Sequence, residues 1–261
     1  MPFTVLSSGV KLHYQVVNEK GSEGTILFLH EALGSIDQWK DFPEILCEKT
    51  NLKGIVYERQ GYGKSSAELK ERGVDYLHNY ALEELPQFLE ALKINGPVHL
   101  FGHSDGGSIA LIFTAHYPKK VKSIITEAAH VFVEQKTLEG IAPALEAFLT
   151  TDFKKKLSKY HGAQTESVFY GWYNTWNLPD FKKWNIEDLL SKVTAPTLII
   201  QGEKDEYGTL AQVDAIQYKL GSKQTQRIIL EGIGHVPHLK EKEQTLSASA
   251  DFLDLVKIKP L

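Results

Sequence analysis

The chain has 261 residues, of which 42% are hydrophobic and 24% are charged, and its formal net charge is −4. Such a composition is typical of a soluble globular protein, and the length permits one large α/β domain with an insertion or two small domains. The charge balance predicts no broad basic surface, which argues against nucleic acid or an anionic membrane as partner. Cys47 is the only cysteine, which excludes an intrachain disulfide and a thiolate metal cluster.

The first residues show no basic segment followed by an apolar stretch, and no window approaches about 18 uninterrupted apolar residues. We therefore expect neither a secretion signal nor a membrane span. The expected location is cytoplasmic.

Short apolar runs predict the strands of one sheet. Residues 10–17 alternate between apolar and polar side chains, as a half-exposed edge strand does. Residues 25–29 are continuously apolar, as in a strand covered on both faces. The same character recurs at residues 54–57, 98–101, 121–125, 197–200 and 227–230.

Helical patterns separate most of these runs, at residues 80–92, 108–116, 210–220 and 241–255. Alternating strands and helices predict an α/β fold with a mostly parallel central sheet flanked by helices.

The alternation fails between residues 130 and 193, where helical periodicity continues without a buried-strand run. We therefore predict a core formed by residues 1–129 and 194–261, with a helical cap insertion at 130–193. Four aromatic residues recur there at three- and four-residue steps and share one helical face: Phe169, Trp172, Tyr173 and Trp176. These rings either roof a pocket or pack the cap together, and both interpretations stay open.

The segment around Ser104 predicts a strand, a tight turn and a helix. Gly102 and Gly106 flank the serine at a spacing that leaves room for a strained turn and pushes the hydroxyl clear of the backbone. The N–H of Asp105 then lies at a helix N-terminus, which favours negative charge. A hydroxyl beside an anion site suits acyl transfer, whereas a glycine-rich turn that only closes the sheet is the alternative.

A serine nucleophile needs a base and an acid within reach. Asp205 follows the strand at 197–200, and His235 follows the next strand, so both lie at the same carboxyl edge as Ser104. The order serine, acid, histidine also fits. Rivals remain, namely the acids Glu203, Glu206 and Glu127 and the histidine His238. His235 and His238 have no third ligand at a recognisable spacing, so no metal site is expected.

The loop after residues 25–29 is the expected source of a second oxyanion donor. The N–H of Ala32 is the candidate, paired with that of Asp105. Glu31 and Asp105 either place negative charge near the pocket or point away as structural caps. Trp172, Trp176 and Tyr207 are further candidates for substrate binding.

The chain resembles the α/β-hydrolase superfamily over nearly its whole length. The matching features are His30, the stretch Glu58-Arg59-Gln60-Gly61-Tyr62-Gly63-Lys64-Ser65, the turn at Ser104, Asp205 and His235. Glu58 and Gln60 depart from the superfamily's D-x-R-G-x-G-x-S pattern, and Glu31 replaces the usual glycine after the histidine. The Ser-Asp-Gly-Gly turn is similar to that of valacyclovirase-like hydrolases, in which the aspartate receives a substrate ammonium group.

These features predict a cofactor-independent serine hydrolase that cleaves small carboxylic esters through an acyl-enzyme. Three alternatives stay open: an α-amino-acid ester hydrolase that uses Asp105, a lactone or C–C bond hydrolase, and a hydrolase-like ligand receptor in signalling. The expected partner is a small-molecule ester, with no nucleic acid and no membrane. Monomer and homodimer are both compatible with the sequence.

Overall fold

An eight-stranded sheet forms the centre of the structure, a computed structural model that describes residues 2–258. The strands are β1 (Phe3–Val5), β2 (Lys11–Val17), β3 (Thr25–Leu29), β4 (Lys53–Tyr57), β5 (Val98–His103), β6 (Val121–Glu127), β7 (Thr197–Gly202) and β8 (Thr225–Leu230). Their order is β1-β2-β4-β3-β5-β6-β7-β8, and only the pairings of β2 with β1 and with β4 are antiparallel. The predicted mostly parallel sheet is confirmed. Residues 1 and 259–261, which the prediction assigned to the core, lie outside the described residues.

Helices fill the connections between the parallel strands, and two more follow the last strand. They are α1 (Phe42–Thr50), α2 (Tyr76–Asn79), α3 (Leu85–Ala91), α4 (Asp105–His116), α5 (Gln135–Ile141), α6 (Ala144–Thr150), α7 (Phe153–His161), α8 (Thr165–Asn177), α9 (Glu187–Leu190), α10 (Leu210–Lys219), α11 (Pro237–Lys240) and α12 (Lys242–Ile258). A π-helical turn, Tyr80–Glu84, joins α2 to α3. Within residues 2–258, every helix is too short or too polar to cross a lipid bilayer.

Alternate side chains of the central strands enter two different cores. Ile26 and Phe28 of β3 pack on one face of the sheet, where α1 and α12 lie. Leu27 and Leu29 pack on the other face, where α3 and α4 lie. Because both faces are covered, β3 is apolar at nearly every position, as its sequence predicted.

The edges of the sheet differ from the prediction. The three-residue strand β1, which is too short to show a periodic pattern, pairs with β2, so β2 is not an edge strand. The edge on the other side is β8, where Gln226 and Arg227 are exposed, although its sequence predicted a strand covered on both faces. The apolar residues that follow Arg227 produced the wrong prediction.

Helices α5 to α9 form the segment between β6 and β7, which matches the helical insertion predicted at residues 130–193. Phe169 of α8 stacks on Phe148 of α6 with 3.8 Å between ring centroids, and on Tyr173 at 5.8 Å. These rings therefore pack the insertion together. The division into a core and a cap stays a prediction.

The turn between β5 and α4 depends on two glycines that lie against other backbone atoms. A Cβ on Gly106 would overlap the carbonyl group of Leu29 in β3, and a Cβ on Gly102 would overlap the backbone of Gly106. The glycines therefore leave room for the strained turn, as the sequence predicted, and they also permit a close approach of α4 to the sheet.

We expect Gly106→Ala to lower the free energy of unfolding by more than about 3 kcal/mol, because rigid backbone atoms would have to move apart. Gly96→Ala is the matched control: a Cβ there meets nothing within 4 Å, so the change should be below about 0.5 kcal/mol. Chemical denaturation of both variants measures the difference, and equal stabilities would contradict the close approach.

Candidate active site

Ser104 lies at the apex of the turn between β5 and α4. Its backbone has φ 53° and ψ −116°, a left-handed conformation that non-glycine residues rarely adopt. The turn is fixed by backbone hydrogen bonds: the N–H of Ser104 donates to the carbonyl of Glu127 at 2.8 Å, and the N–H of Gly107 donates to the carbonyl of Ser104 at 2.9 Å. Such local strain, held in place by the surrounding backbone, is typical of a functional residue.

Asp205 and His235 form the acid–histidine pair that the sequence predicted. The Nδ1 atom of His235 lies 2.9 Å from each carboxylate oxygen of Asp205. The side-chain amide of Gln201 and the N–H groups of Tyr207 and Gly208 also donate to this carboxylate. Burial raises the pKa of the Asp205 carboxyl, but the charge of His235 and these donors outweigh it, and the pKa lies below its ordinary value.

The rival acids have other partners. Glu206 accepts the backbone N–H of His235 at 3.0 Å, and Glu203 accepts that of Gly232 at 3.0 Å. Both carboxylates therefore bond to backbone N–H groups and not to the imidazole of His235. His238 instead pairs with Glu127, whose Oε1 lies 2.8 Å from Nδ1 of His238. His235 and His238 thus turn to different carboxylates. Among the described residues, no group of three or more possible ligands is placed to hold a metal ion.

Ser104 and His235 line the same cavity, which has a volume of about 870 Å³. Among the hydrogen bonds of residues 2–258, none joins the Ser104 hydroxyl to the His235 ring. Catalytic hydrogen bonds are often long in a free enzyme and shorten when substrate binds. The shared cavity therefore keeps Ser104 and His235 as candidates for a catalytic pair.

Arg59 braces the loop that contains Ala32. Its guanidinium donates to the carbonyl oxygens of His30 and Glu31, and its backbone N–H donates to Nε2 of His30 at 3.2 Å. Ala32 lines the cavity, as does Asp105, the first residue of α4. Both predicted oxyanion donors therefore belong to residues of the cavity wall.

Glu58, a departure from the superfamily pattern, has a structural role in the same region. Its carboxylate accepts the N–H of Lys64 at 2.7 Å and lies 2.8 Å from Nδ1 of His13. A Cβ on Gly63, whose φ is 51°, would overlap this carboxylate. The Glu58 carboxylate thus lies inside the turn at residues 58–65 and stabilises it by these hydrogen bonds.

All five predicted substrate-binding residues lie in the cavity wall. They are Glu31, Asp105, Trp172, Trp176 and Tyr207. The two tryptophans come from the aromatic face of α8, so this face both packs the insertion and covers the cavity. Each of the two sequence interpretations holds for different rings.

The carboxylates of Asp105 and Glu31 are already partnered. Oδ2 of Asp105 accepts the hydroxyl of Tyr76 at 2.8 Å and lies 4.0 Å from Nη2 of Arg59, and the indole N–H of Trp176 donates to the Tyr76 hydroxyl at 2.8 Å. Asp105 is only 2% exposed. Burial raises the pKa of its carboxyl, with Arg59 and Tyr76 opposing.

His103, which precedes the serine, was not singled out from the sequence. Its Nε2–H donates to the carbonyl of His235 at 2.8 Å, and its Nδ1 forms an ion pair with Oε2 of Glu31 at 3.5 Å, without the alignment of a hydrogen bond. Because carbonyl and carboxylate oxygens only accept, both ring nitrogens face acceptors, as in an imidazolium. His103 thus links the turn at Ser104 to the loops of Glu31 and His235.

His130 is a second residue that sequence reasoning missed. It follows β6 directly, is 3% exposed and lines the cavity. No sequence motif marks it, because its position depends on how the chain leaves the sheet toward α5.

Known proteins resemble this chain over most of its length. A family model described as the alpha/beta hydrolase fold matches residues 24–185. The human serine hydrolase BPHL is 30% identical over 260 residues, which cover 95% of this chain and 85% of the human one. The chain belongs to the α/β-hydrolase family.

Other proteins that resemble this α/β hydrolase are named as different kinds of hydrolase. A proline iminopeptidase of Saccharolobus solfataricus is 23% identical over 288 residues, covering 95% of this chain and 90% of that protein. An esterase structure from Thermogutta terrifontis superposes with a TM-score of 0.74 at 18% identity, covering 98% of each chain, and shows the common fold. The family supports a hydrolase, and the bond that is cleaved has to be argued from the site.

The charge of His103 predicts a pH-dependent stability. Burial lowers the pKa of His103, but the nearby carboxylates of Glu31 and Glu127 and the backbone carbonyl of His235 outweigh it and raise the pKa from 6.5 to about 9. A raised folded-state pKa adds stability that is complete below the unfolded value and lost as pH rises through the folded one. The stability of wild type over His103→Gln should therefore shrink by on the order of 3 kcal/mol between pH 6.5 and pH 9.

Chemical denaturation across this pH range measures the change. Glu31→Gln is the matched variant, because it removes the negative partner of His103 and should also flatten the pH dependence. If His103→Gln keeps the pH dependence of the wild type, the assignment of the charge to His103 is wrong.

Proposed function

We propose that this chain is a serine hydrolase that cleaves small carboxylic esters through an acyl-enzyme, with Ser104 as nucleophile, His235 as base and Asp205 as acid. The observation that carries the proposal is the hydrogen bond of 2.9 Å between the buried Asp205 and the half-buried His235, which lines the same cavity as the strained turn at Ser104. A nucleophile, a base and an acid in one cavity are what the two-step reaction requires.

The first step forms the acyl-enzyme. Nδ1 of His235 faces a carboxylate and carries a proton, which leaves Nε2 free to take the proton of the Ser104 hydroxyl. The serine oxygen then attacks the acyl carbon, and the N–H groups of Ala32 and Asp105 hold the resulting oxyanion. His235 returns the proton to the alcohol as the ester bond breaks.

The second step repeats the first with water. His235 removes a proton from a water molecule, whose oxygen attacks the acyl carbon, and Ser104 leaves with the proton returned by His235. The products are a carboxylic acid and the free enzyme.

The partners of the acidic side chains favour a neutral ester over an amine. A carboxylate that already accepts protein donors has fewer lone pairs and less uncompensated charge for a substrate ammonium group. Asp105 accepts from Tyr76, Glu31 pairs with His103, and Glu206 accepts the N–H of His235. Each carboxylate of the cavity wall therefore has a protein partner.

Hydrolysis of α-amino-acid esters is the second candidate, supported by the Ser-Asp-Gly-Gly turn and by the partial exposure of Glu31 in the cavity. It requires a preference for a free amine, measured with valine p-nitrophenyl ester against its N-acetyl form. A strong preference that Asp105→Asn abolishes would establish this candidate over the neutral ester. A panel that includes lactones tests the remaining enzyme alternatives.

We expect Ser104→Ala to lower the turnover of p-nitrophenyl butyrate by roughly a thousandfold or more, because it removes the nucleophile. Labelling by a fluorophosphonate should also be lost, while Ser167→Ala, an exposed serine of α8, keeps both. Unchanged turnover in Ser104→Ala would contradict the mechanism. Labelling of the wild type without turnover of any ester would favour a ligand receptor.

We expect Asp205→Asn to lower kcat by on the order of ten thousandfold, because the amide favours the wrong imidazole tautomer. Glu203→Gln is the matched control from the same loop, since Glu203 accepts the N–H of Gly232 and pairs with the exposed Lys204 but does not contact the imidazole, and it should stay within about twofold of wild type. A comparable loss in both variants would show that the loop, and not the acid, matters.

A further inference from the structure

His161, the last residue of α7, ties the helical insertion to two loops of the core. The residue is only 2% exposed, and each of its ring nitrogens contacts a backbone group. The N–H of Gly63 lies 3.0 Å from Nδ1, and the carbonyl oxygen of Leu33 lies 3.0 Å from Nε2. Gly63 belongs to the turn at residues 58–65, whereas Leu33 belongs to the loop that contains Ala32. His161 therefore connects the insertion to the loop with the candidate oxyanion donor.

These two contacts define the tautomer of His161. A backbone N–H only donates and a carbonyl oxygen only accepts, so Nδ1 accepts from Gly63 and Nε2 donates to Leu33. Burial is the largest effect on the pKa of His161, which lies below its ordinary value, so the ring is neutral at neutral pH. Both nitrogens of the neutral ring are thus used, and its orientation is fixed.

A chain of hydrogen bonds leads from this ring to the peptide group of Ala32. The carbonyl of Leu33, which accepts from His161, shares one peptide group with the N–H of Gly34. That N–H donates to the carbonyl of Glu31 at 3.1 Å. The carbonyl of Glu31 in turn shares a peptide group with the N–H of Ala32. Two peptide groups therefore link the imidazole to the candidate oxyanion donor.

The peptide group that contains the Ala32 N–H is held by three donors on its carbonyl side. In addition to the N–H of Gly34, the carbonyl accepts from Nδ1 of His30 at 2.7 Å and from Nη2 of Arg59 at 3.0 Å. A trans peptide places its N–H opposite its C=O, so the Ala32 N–H points away from these donors. Within residues 2–258 this N–H donates to no protein acceptor, and Ala32 lines the cavity. The chain of hydrogen bonds thus ends in a free donor.

Hydrogen bonds in such a chain strengthen one another. A donor to the C=O of a peptide group withdraws electrons and makes the N–H of the same group a stronger donor. Loss of the bond from His161 would therefore weaken the N–H of Gly34 and, through the Glu31 carbonyl, the N–H of Ala32. The effect would fall on the transition state, in which the carbonyl oxygen of the ester becomes an oxyanion.

We propose that His161 is a positioning residue for catalysis, which orients and polarises the N–H of Ala32 through the two intervening peptide groups. This inference rests on the proposed function, since it gives the oxyanion donor of that reaction a partner in the insertion. Leu157 lies one turn before His161 in α7 and lines the cavity. The same helix thus limits the space for the substrate and supports the donor that meets its oxygen.

Two variants separate the two hydrogen bonds of the ring. His161→Gln places an amide nitrogen where Nε2 was, so it keeps the bond to Leu33. His161→Asn places an amide oxygen where Nδ1 was, so it keeps the bond to Gly63 and loses the bond to Leu33. Turnover of p-nitrophenyl butyrate should fall roughly tenfold in kcat in His161→Asn and stay within about threefold of wild type in His161→Gln, since loss of a whole oxyanion donor costs on the order of a hundred- to a thousandfold. KM should change little, because the oxyanion exists only in the transition state.

An inhibitor that forms an oxyanion gives a second measurement. 1,1,1-Trifluoro-2-hexanone adds to a serine hydroxyl, and its carbonyl oxygen then becomes an oxyanion, whereas 2-hexanone binds without this addition. The affinity for the trifluoro ketone should fall roughly tenfold in His161→Asn, in step with kcat, while the affinity for 2-hexanone stays the same. A role in fastening the insertion alone would change both affinities or neither.

Gln164→Ala is the matched control, because Gln164 fastens the same junction at a different point. Its Nε2 donates to the carbonyls of Gly63 and Ser65 at 3.0 and 2.9 Å, and thus to the turn at residues 58–65 and not to the loop of Ala32. We expect this variant to be less stable in chemical denaturation, while kcat stays within about twofold of wild type.

Three results would overturn the inference and leave the proposed function standing: wild-type kcat in His161→Asn, equal losses in His161→Asn and His161→Gln, or an equal loss in Gln164→Ala. If His161→Asn does not fold, proton NMR of wild type decides. The Nε2 proton of His161 should move downfield when the trifluoro ketone binds, and an unmoved signal would also overturn the inference. If wild type turns over no ester, the proposed function fails first and the inference fails with it.

Discussion

The close approach of α4 to β3 is the constraint on which the rest of the site depends. Gly106 lies so near the carbonyl of Leu29 that no side chain fits between them. Leu29 is the last residue of β3, and the loop that holds Ala32 starts immediately after it. The same contact therefore brings together the turn at Ser104 and the loop that contains Ala32. Neither could be placed correctly if the helix stood farther from the sheet.

Buried charge around this contact is balanced pair by pair. The carboxylate of Asp205 faces His235, that of Glu127 faces His238, and that of Glu31 faces His103. His103 and His238 are close, with 5.1 Å between ring centroids, so their carboxylate partners compensate for the proximity of two basic rings. Burial of so many ionisable groups is tolerable only because each has an opposite charge or a backbone group within reach.

Much of the architecture was predictable from local patterns. Continuous apolar runs identify the parallel strands because both faces of this sheet are covered, and the glycines around Ser104 mark a turn that has no room for side chains. Asp205 and His235 followed from chain order and from the shared carboxyl edge of the sheet.

Other features depend on contacts between distant residues and leave no local trace. The sequence left open whether Asp105 faces the pocket or caps the structure, and only the fold brings Tyr76 to its carboxylate. The charge of His103 depends on acceptors from two separate loops. The place of His130 in the cavity wall depends on how the chain leaves β6 toward α5. The sequence did not predict strand β1, because three residues are too few to show the alternation of apolar and polar side chains that marks a strand.

The chain of hydrogen bonds from Trp176 through Tyr76 to Asp105 has a consequence for how substrate enters. It connects α8, which covers the cavity, to Asp105, the first residue of α4 directly after Ser104. Swinging α8 outward would take the indole N–H from Tyr76 and weaken the support of a buried carboxylate next to Ser104. Helix α8 is thus tied to the turn at Ser104, which disfavours an outward movement of α8 when a ligand enters the cavity.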